Sequence, residues 1–389
     1  MGCAPLSSVR LLAIRRSSWR EALIRIISYI VILLAGAPAL ASPQAQAPDE
    51  KTGQDLYRWA CAACHGADGR GAAQASVGFE TALPDFTDCG FSTVEPDADW
   101  MAVSHDGGPA RGFDRRMPAF GDAMTDPELQ RVLDYIRGFC TNRSWPRGEL
   151  NVPRALITEK AFPENEAVLT TTVGTTGAGH VGNEFLYEHR LGSRTQYELV
   201  VPLLLQEGAA GTWNRGLGDV AVAVKHVLMH SLDRGHILSA AGEIVLPTGK
   251  ESAGLGGGVT VFEPFVAFGQ LLPADSFLQF QAGLELPFDA SIAGREAFWR
   301  AAAGKSFSQG RFGRSWSPMV EVLAARDLEE GATTHWDLVP QMQVTLNKRQ
   351  HLMINVGVRF PLNDRTGRTT QVITYFLWDW FDGGLLDGW

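Results

Sequence analysis

The spacing of apolar residues changes near Leu150 and divides the chain into two parts. Before it, apolar side chains recur at helical spacing, as in the stripe Leu129, Val132, Leu133, Ile136 and Phe139. Thr125 or Asp126 can cap that helix, and Pro127 suits its first turn. After Leu150, apolar and polar residues alternate, and Gly, Asn, Asp and Pro separate the runs. The pattern predicts an all-α domain followed by an antiparallel β domain.

Alternation is clearest in residues 277–286, 336–346 and 351–361, where one face is apolar and the other polar. Noisier runs begin near Ala167, Asn183, Gln196, Asp219, His236, Gly258, Ala297, Ser317 and Gln371. Together these runs predict about 12 strands, and bacterial outer-membrane barrels have an even number. Many runs reach the roughly 9 to 11 residues that a membrane-crossing strand needs. A soluble sandwich or barrel with the same alternation is the alternative.

The apolar face of a membrane barrel points to lipid, so the polar face of each run is expected to point inward. The inward charged residues would be Glu198, Glu243, Glu263, Glu285, Arg300, Glu321, Asp337 and Arg359. In a narrow lumen we expect them to form a structural hydrogen-bonded network rather than a selectivity filter or catalytic site. Aromatic residues near strand ends favour the membrane: Phe185, Tyr187, Tyr197, Trp299, Trp336, Tyr375, Trp378 and Trp380.

The first residues of the chain have the pattern of a secretory signal peptide. Five arginines precede an apolar run at residues 26–34, and the triplet Ala39-Leu40-Ala41 follows. A membrane anchor is the alternative, but the run is shorter than the roughly 20 residues such a helix needs. We therefore expect residues 1–41 to be removed, residues 42–143 to form the helical domain, residues 144–154 to form a linker, and residues 155–389 to form the barrel.

The charge balance restricts the partners. The chain has 34 basic and 43 acidic side chains and a net charge of -9, which argues against nucleic-acid binding. Only 5 cysteines occur, which excludes a disulfide-dense miniprotein. Residues 42–150 carry a net charge of -7, so the helical domain would attract a basic partner.

Cys61-Ala-Ala-Cys64-His65 is a C-x-x-C-H motif. Two thiols at this spacing can form thioethers to the two vinyl groups of one haem, and the next residue supplies an imidazole to the iron. A thioredoxin-like redox pair or half of a zinc site would share part of the motif. Export, the adjacent His65 and the lack of a second close cysteine pair argue against both. The motif predicts one covalently bound haem c.

Residues 53–71, GQDLYRWACAACHGADGRG, resemble the start of class I cytochromes c. The resemblance implies a short helix carrying Gly53 and Tyr57 that packs against a C-terminal helix, with a sixth iron ligand from the loop between them. Met117, followed by a proline, is similar to the methionine of that family's ligand loop. A thioether favours ferrous iron and raises the potential. His105 is the alternative sixth ligand.

Pro84 is similar to the proline whose carbonyl, in that family, holds the imidazole of the C-x-x-C-H histidine; a simple turn proline is the alternative. Cys89 and Cys140 are left as spare thiols in an exported domain, where pairing is the simplest expectation. A loop of about 50 residues closed by a disulfide would stabilise the domain by roughly 4 kcal/mol.

In the second part, residues 216–220 (GLGDV) and 245–249 (VLPTG) resemble the outer-membrane barrels assigned as transporters in phenol-degradation gene clusters. The whole architecture is similar to fused outer-membrane cytochrome-porins implicated in extracellular electron transfer and iron oxidation. A lumen of about 12 strands is too narrow for a whole haem domain, so we expect that domain at the periplasmic mouth.

The resemblance implies a haem c electron-transfer protein anchored in outer-membrane lipid. It would pass electrons between a basic periplasmic carrier and an outer-membrane or extracellular donor or acceptor. A transport barrel for small apolar or aromatic solutes with a redox-sensing cytochrome is the first alternative. A haem peroxidase-like enzyme is the second, but it needs an open iron site, which Met117 would deny. A non-enzymatic carrier is therefore expected.

Overall fold

The computed structural model describes residues 51–78, 83–176, 179–208, 211–365 and 368–380. The predicted signal peptide, residues 1–41, lies outside the described residues. Among the residues that are described, no helix has both the length and the apolar character needed to cross a membrane.

The first part of the described chain is helical, as predicted. Its α-helices are α1 (Gly53–Ala60), α2 (Ala62–His65), α3 (Gln74–Val77), α4 (Cys89–Ser92), α5 (Asp97–Asp106) and α6 (Asp126–Arg137). Thr52 and Thr125 cap α1 and α6, each with an acidic residue three positions later that completes a capping box. The two helices pack through a shared core: Leu56, Tyr57, Phe86, Met124, Leu129, Val132, Leu133 and Ile136.

The second part is a sheet of antiparallel strands. They are β1 (Glu166–Gly174), β2 (His180–Leu191), β3 (Thr195–Glu207), β4 (Trp213–Leu217), β5 (Val220–Ser231), β6 (His236–Leu246), β7 (Val261–Leu272), β8 (Ser276–Pro287), β9 (Glu296–Lys305), β10 (Phe307–Ser308), β11 (Ser315–Asp327), β12 (His335–Thr345), β13 (Leu352–Pro361) and β14 (Gln371–Asp379). The twelve predicted strand starts differ from the observed starts by no more than three residues.

The sheet closes into a barrel of twelve strands, because β1 pairs with β14 and β9 pairs with β11. The other two strands are extensions. β4 and β5 both pair with β3 and form one strand that is interrupted at Gly218 and Asp219. The interruption lies beside Pro202, whose carbonyl accepts from the Gly218 N–H at 2.8 Å. β10 lengthens the hairpin between β9 and β11.

The barrel is apolar outside and polar inside, the reverse of a soluble barrel. Its outward residues include Leu169, Phe185, Leu203, Val224, Leu278, Phe280, Val322, Met342, Val356 and Phe376, each more than a third exposed. The inward residues include Glu188, Gln196, Lys225, Gln279, Gln281, Glu321, Asp337, Gln343 and Asn355, all buried. The predicted orientation of the strands is confirmed, and the outer surface is suited to lipid.

Two groups of aromatic residues lie at opposite ends of the barrel. Trp299 and Trp336 pack edge to face with ring centroids 5.8 Å apart at one end. At the other end, Tyr187 lies 5.8 Å from Trp380 and 6.0 Å from Tyr197. Such girdles mark the two interfaces of a membrane.

One of the predicted interface aromatics was assigned wrongly. Tyr375 points into the barrel, where it is 2% exposed and its hydroxyl donates to the Arg154 carbonyl at 2.7 Å. Side chains alternate between the two faces of a strand, and Tyr375 lies on the inward face of β14 with Ile373 and Leu377, which are also buried.

The two ends of the barrel differ in their connections. One end, here called the short-turn end, carries the tight turns 192–194, 232–235 and 273–275, together with turns 306–314 and 346–351. The opposite, long-loop end carries connections 247–260, 288–295 and 328–334. β1 begins at the short-turn end, so the chain reaches the barrel from that side.

Residues 150–165, here called the lumen segment, fill the barrel before β1 begins. Leu150, Val152, Arg154, Thr158 and Phe162 are all buried. Within the predicted linker, residues 144–154, Gly148 still donates to the Thr93 carbonyl of the helical domain, whereas Leu150 packs against the barrel residues Ile237 and Phe265. Inside the barrel, the inward polar face of the strands supplies hydrogen-bond partners for a backbone that has no partner strand.

Candidate functional site

The C-x-x-C-H motif lies where α1 ends and α2 begins. The Tyr57 hydroxyl donates to the Gly66 carbonyl at 2.8 Å and so ties α1 to the residue after the motif. Cys61 and Cys64 are free thiols, both partly buried. The Phe86 N–H donates to the Gly69 carbonyl at 2.7 Å and brings the segment 83–86 beside the motif. These contacts fix the position of the motif on the helical core.

His65 fits the role of an iron ligand. Burial lowers the pKa of His65 to about 4, so the imidazole is neutral at pH 7, the form that binds a metal. Its ring stacks on Phe86 with centroids 4.9 Å apart and an interplanar angle of 23°. Burial also raises the pKa of Cys61 to about 11, so this thiol is uncharged. The residues present therefore suit a haem held through two cysteines and a neutral histidine.

The predicted hydrogen bond from His65 to the Pro84 carbonyl is not formed. The buried Nδ1 of His65 has no hydrogen-bond partner within the described part of the chain. Stacking on Phe86 holds the ring in this structure instead. A buried nitrogen without a hydrogen-bond partner is destabilising, so Nδ1 of His65 is suited to a further hydrogen bond.

The rest of the helical domain is held by a disulfide and an ion-pair cluster. Cys89 and Cys140 are bonded, with their Cα atoms 5.1 Å apart, and so join α4 to the end of α6. Asp97 lies 2.9 Å from Arg137 and 2.8 Å from Arg147. Burial by itself raises the pKa of Asp97, but the two arginines outweigh it and leave the pKa below the usual value.

Met117 and His105 occupy different surroundings. Met117 is partly buried in the loop between α5 and α6, here called the Met117 loop, residues 107–121. Both ring nitrogens of His105 are engaged: Nδ1 lies 2.5 Å from Asp106, and Nε2 lies 3.0 Å from Arg311 of the β9–β11 turn. Met124 is 5% exposed in the helical core and packs there.

The helical domain contacts the short-turn end of the barrel. Glu95 lies 3.2 Å from Nε2 of His351, whose Nδ1 lies 3.3 Å from Asp379 at the end of β14. The Arg190 guanidinium lies 4.6 Å from the centroid of the Trp145 ring. Both contacts involve buried or half-buried groups, so the domain is attached to the barrel by more than its covalent connection.

The lumen segment is bound to strands on several sides of the barrel. Glu321 of β11 is fully buried and accepts the N–H groups of Leu156, Ile157 and Thr158 at 2.9, 3.2 and 2.7 Å. It also accepts the Thr158 hydroxyl at 2.7 Å. On another side, Ser239 of β6 donates to the Ala161 carbonyl at 2.5 Å. The segment therefore spans the lumen rather than lying along one wall.

A buried network of charges surrounds the segment, and sequence reasoning missed its cations. Arg154 lies 2.7 Å from Glu166 and 2.9 Å from Glu188. Lys225, 1% exposed, lies 3.4 Å from Glu198 and 3.6 Å from Glu188. The alternation of residues along β5 already indicated that the Lys225 side chain points inward. The sequence contains no such indication for Arg154, because the lumen segment has no regular period.

Carboxylates of Glu159, Glu188 and Glu198 approach one another within 4.8 Å, a spacing that a metal ion can bridge. Lys225 lies 3.4 to 3.7 Å from all three, and Arg154 pairs with Glu159 and Glu188. These two cations already balance much of the negative charge, so the cluster is an ion-pair network.

Above the lumen segment, toward the long-loop end, lies a cavity of about 450 Å³. Five of the predicted inward charges line it: Glu198, Glu243, Glu263, Arg300 and Arg359. Glu285 shares the inward face of β8 with the buried Gln279 and Gln281. The inward placement of the predicted charges is confirmed. Only part of the expected network forms, such as the pair of Arg359 with Asp337 at 2.7 Å.

The two short barrel motifs are in contact. The Asp219 carboxylate accepts the N–H groups of Gly249 and Gly257 at 2.8 and 2.7 Å. The Thr248 hydroxyl donates to the Gly218 carbonyl at 2.7 Å. These bonds fasten the interrupted strand β4–β5 to the 247–260 connection, so the motifs serve the structure of the long-loop end.

Comparison with a family model identifies the helical part. Residues 48–136 match the family described as cytochrome C oxidase, cbb3-type, subunit III, which is a c-type cytochrome family. The match covers less than a quarter of the chain. Comparison with curated proteins gives no match.

Among solved structures, the chain is similar to the NanC porin, with 9% identity and a TM-score of 0.40 over 55% of this chain and 99% of that one. The KdgM porin has 6% identity and a TM-score of 0.37, with coverages of 55% and 99%. An outer membrane channel from Pseudomonas putida F1 has 13% identity and a TM-score of 0.39, with coverages of 59% and 100%. With such values these neighbours add nothing to what the strands themselves show.

The resemblance to barrels of phenol-degradation gene clusters stays a prediction. What the residues and the family match establish is coarser: the chain joins a c-type cytochrome domain to a closed, porin-like, antiparallel barrel of twelve strands.

Proposed function

We propose that this protein is a membrane-anchored electron carrier with one haem c. Cys61 and Cys64 would hold the haem through thioethers, and His65 and Met117 would bind its iron. Bound haem supplies one-electron chemistry at its iron. The free thiols, the neutral imidazole and the helical scaffold support the assignment. The engagement of both His105 nitrogens with Asp106 and Arg311 favours Met117 as the sixth ligand.

The barrel would lie in a bacterial outer membrane, with its short-turn end in the periplasm. Bacterial outer-membrane barrels have short periplasmic turns and longer external loops, and here the tight turns 192–194, 232–235 and 273–275 lie at one end while the long connection 247–260 lies at the other. The apolar outer surface and the two aromatic girdles support a membrane position. Because the haem domain contacts the short-turn end, it would lie in the periplasm.

The main support for the proposal is that the lumen segment occupies the barrel to which the cytochrome domain is attached. Glu321, Ser239 and the network around Arg154 hold the lumen segment across the barrel. A barrel closed in this way serves as an anchor better than as a pore. The haem domain would exchange electrons between a periplasmic carrier and an outer-membrane or extracellular donor or acceptor.

The periplasmic carrier would be basic. Residues 42–150 carry a net charge of -7, and complementary charge speeds the encounter of two proteins. One haem cannot bridge the apolar band of roughly 25 Å, so electrons that cross the membrane need a second redox group in a partner.

A transport barrel for small solutes is the second candidate function. The cavity of about 450 Å³ favours it, since a site of this size accommodates a small molecule. Transport would require the lumen segment to leave the barrel or to open a path. Liposome swelling with small aromatic solutes distinguishes the two candidates, because a closed anchor gives no swelling.

The test of the electron carrier uses the full-length, haem-loaded protein in detergent. We expect a positive reduction potential and a weak sulfur-to-iron absorption band in the ferric protein. Met117→Ala should abolish the band, and Met117→His should lower the potential. Met124→Leu, a volume-conserving change in the core, is the matched control and should keep the band. A wild-type protein without the band that binds carbon monoxide would overturn the assignment.

A further inference from the structure

The Met117 loop is closed upon the haem domain by backbone hydrogen bonds. The Gly108 N–H donates to the Met117 carbonyl at 3.0 Å, and the Met117 N–H donates to the Asp114 carbonyl at 3.1 Å. At the end of the loop, the Gly121 N–H donates to the His105 carbonyl at 2.9 Å. The loop is therefore a compact unit bonded to the end of α5.

One face of this unit meets the barrel. Arg111, only 4% exposed, places Nε 2.5 Å from Asp99 of its own domain. Its Nη1 donates to the Phe312 carbonyl in the β9–β11 turn at 2.6 Å. A single side chain of the loop is thus bonded to the haem domain on one side and to the barrel on the other.

Two barrel arginines make further contacts with the loop and its flanks. The Arg349 guanidinium, in the turn between β12 and β13, lies 4.5 Å from the centroid of the Phe113 ring. Arg311 lies 2.5 Å from Asp126, the first residue of α6, and 3.0 Å from Nε2 of His105 near the end of α5, so it contacts the two helices between which the loop is held. A hydrogen bond from Arg311 lowers the pKa of Asp126, so this carboxylate is charged at neutral pH.

We propose that the two barrel turns position the Met117 loop, so that the barrel sets how often Met117 leaves the iron. Arg311 and Arg349 are the positioning residues. The inference rests on the proposed function, because it takes Met117 as the sixth ligand. To expose the iron, the loop must move, and any contact with the barrel that breaks on moving favours the closed state.

The consequence is quantitative. An external ligand such as imidazole binds the iron only when Met117 is displaced, so its apparent affinity follows the population of the open loop. The ion pair at Arg311 is half-exposed, and the contact at Arg349 is a cation over an aromatic ring. Contacts of these kinds are each worth a few-fold in an equilibrium. Loss of both should raise the apparent affinity for imidazole about three- to tenfold.

The experiment titrates imidazole into the ferric, full-length protein in detergent and follows the sulfur-to-iron band and the haem absorption. The variants are Arg311→Ala, Arg349→Ala and the double variant. Arg234→Ala is the matched control, since Arg234 is an exposed arginine in another turn at the short-turn end. The double variant should bind imidazole three- to tenfold more tightly, and the control should match the wild type.

Imidazole affinity in the double variant equal to that of the wild type would overturn the inference, as would an equal increase in Arg234→Ala. Arg311→Lys with Arg349→Lys keeps both charges and should recover part of the wild-type affinity, which a general loss of stability would not show. Failure of the proposed function is distinguishable, because the wild-type protein would then lack the sulfur band from the start.

Discussion

Glu321 is the residue whose replacement tests the lumen segment most directly. Its two carboxylate oxygens, fully buried on β11, accept five hydrogen bonds. Oε1 accepts the N–H groups of Leu156 and Ile157 and the Nε2 of Gln341, and Oε2 accepts the N–H and hydroxyl groups of Thr158. Glu321→Gln keeps the size of the side chain but leaves one acceptor oxygen.

The magnitude follows from the bonds lost. If the glutamine oxygen keeps the Oε1 position, its NH2 group faces the N–H and hydroxyl of Thr158, and both bonds to the carboxylate are lost, although the hydroxyl can rotate to accept a weaker, neutral bond. Hydrogen bonds to a charged group contribute about 1.5 to 3 kcal/mol each, so two of them are worth at least about 3 kcal/mol. That difference corresponds to an increase of about 100-fold in the population in which residues 156–158 are detached.

Hydrogen exchange of the amides measures this population, under conditions where the exchange rate reports the opening equilibrium. In Glu321→Gln, the amides of Leu156, Ile157 and Thr158 should exchange about 100-fold faster than in the wild type. Glu285→Gln is the control, since Glu285 also lies on the inward face of the barrel but on β8, two strands away from β11. Exchange within a few-fold of the wild type in Glu321→Gln would refute the reasoning.

Three further predictions concern the haem domain. Cys140→Ser opens a disulfide that joins residues 51 positions apart, and denaturant titration should show a loss of roughly 4 kcal/mol. Gly53→Ala should cost about 1 to 3 kcal/mol and lower the Tm, because an added Cβ would overlap the Arg131 carbonyl of α6. Asp97→Asn should remove pH-dependent stability: a lowered pKa stabilises the fold above the unfolded value of about 3.9, and that stability is lost as pH falls through the folded pKa.

Each of these has its own contrary result. The loss in Cys140→Ser should disappear when wild type and variant are compared under reducing conditions, and a loss that persists would contradict a disulfide origin. Gly78→Ala is the control for crowding at Gly53, because a Cβ at Gly78 would meet no atom of the described residues within 4 Å, although its φ of +65° adds strain of its own. A stability difference for Asp97→Asn that stays constant from pH 7 to below pH 3 would exclude a titrating carboxylate.

Local patterns predicted a large part of this molecule. A two-residue period determines which face of a strand is apolar, so twelve strands and their inward charges could be read before any contact was known. The capping boxes at Thr52 and Thr125 and the stripe on α6 are likewise local features. Tyr375 was the exception, because a position near the end of a strand does not decide whether the side chain faces lipid or the lumen; the alternation along β14 does.

The C-x-x-C-H motif alone predicted a covalently bound haem, since thioether spacing and an adjacent imidazole are properties of five consecutive residues. Only the tertiary structure decided the state of the lumen. Residues 150–165 have no period and no partner strand, and their conformation comes from donors and acceptors on strands that are distant in sequence, such as Glu321 and Ser239. Long-range hydrogen bonds of this kind leave no pattern in the sequence around either partner, and the same holds for the contact of Arg349 with the Met117 loop and for that of Arg311 with Asp126 beyond the loop.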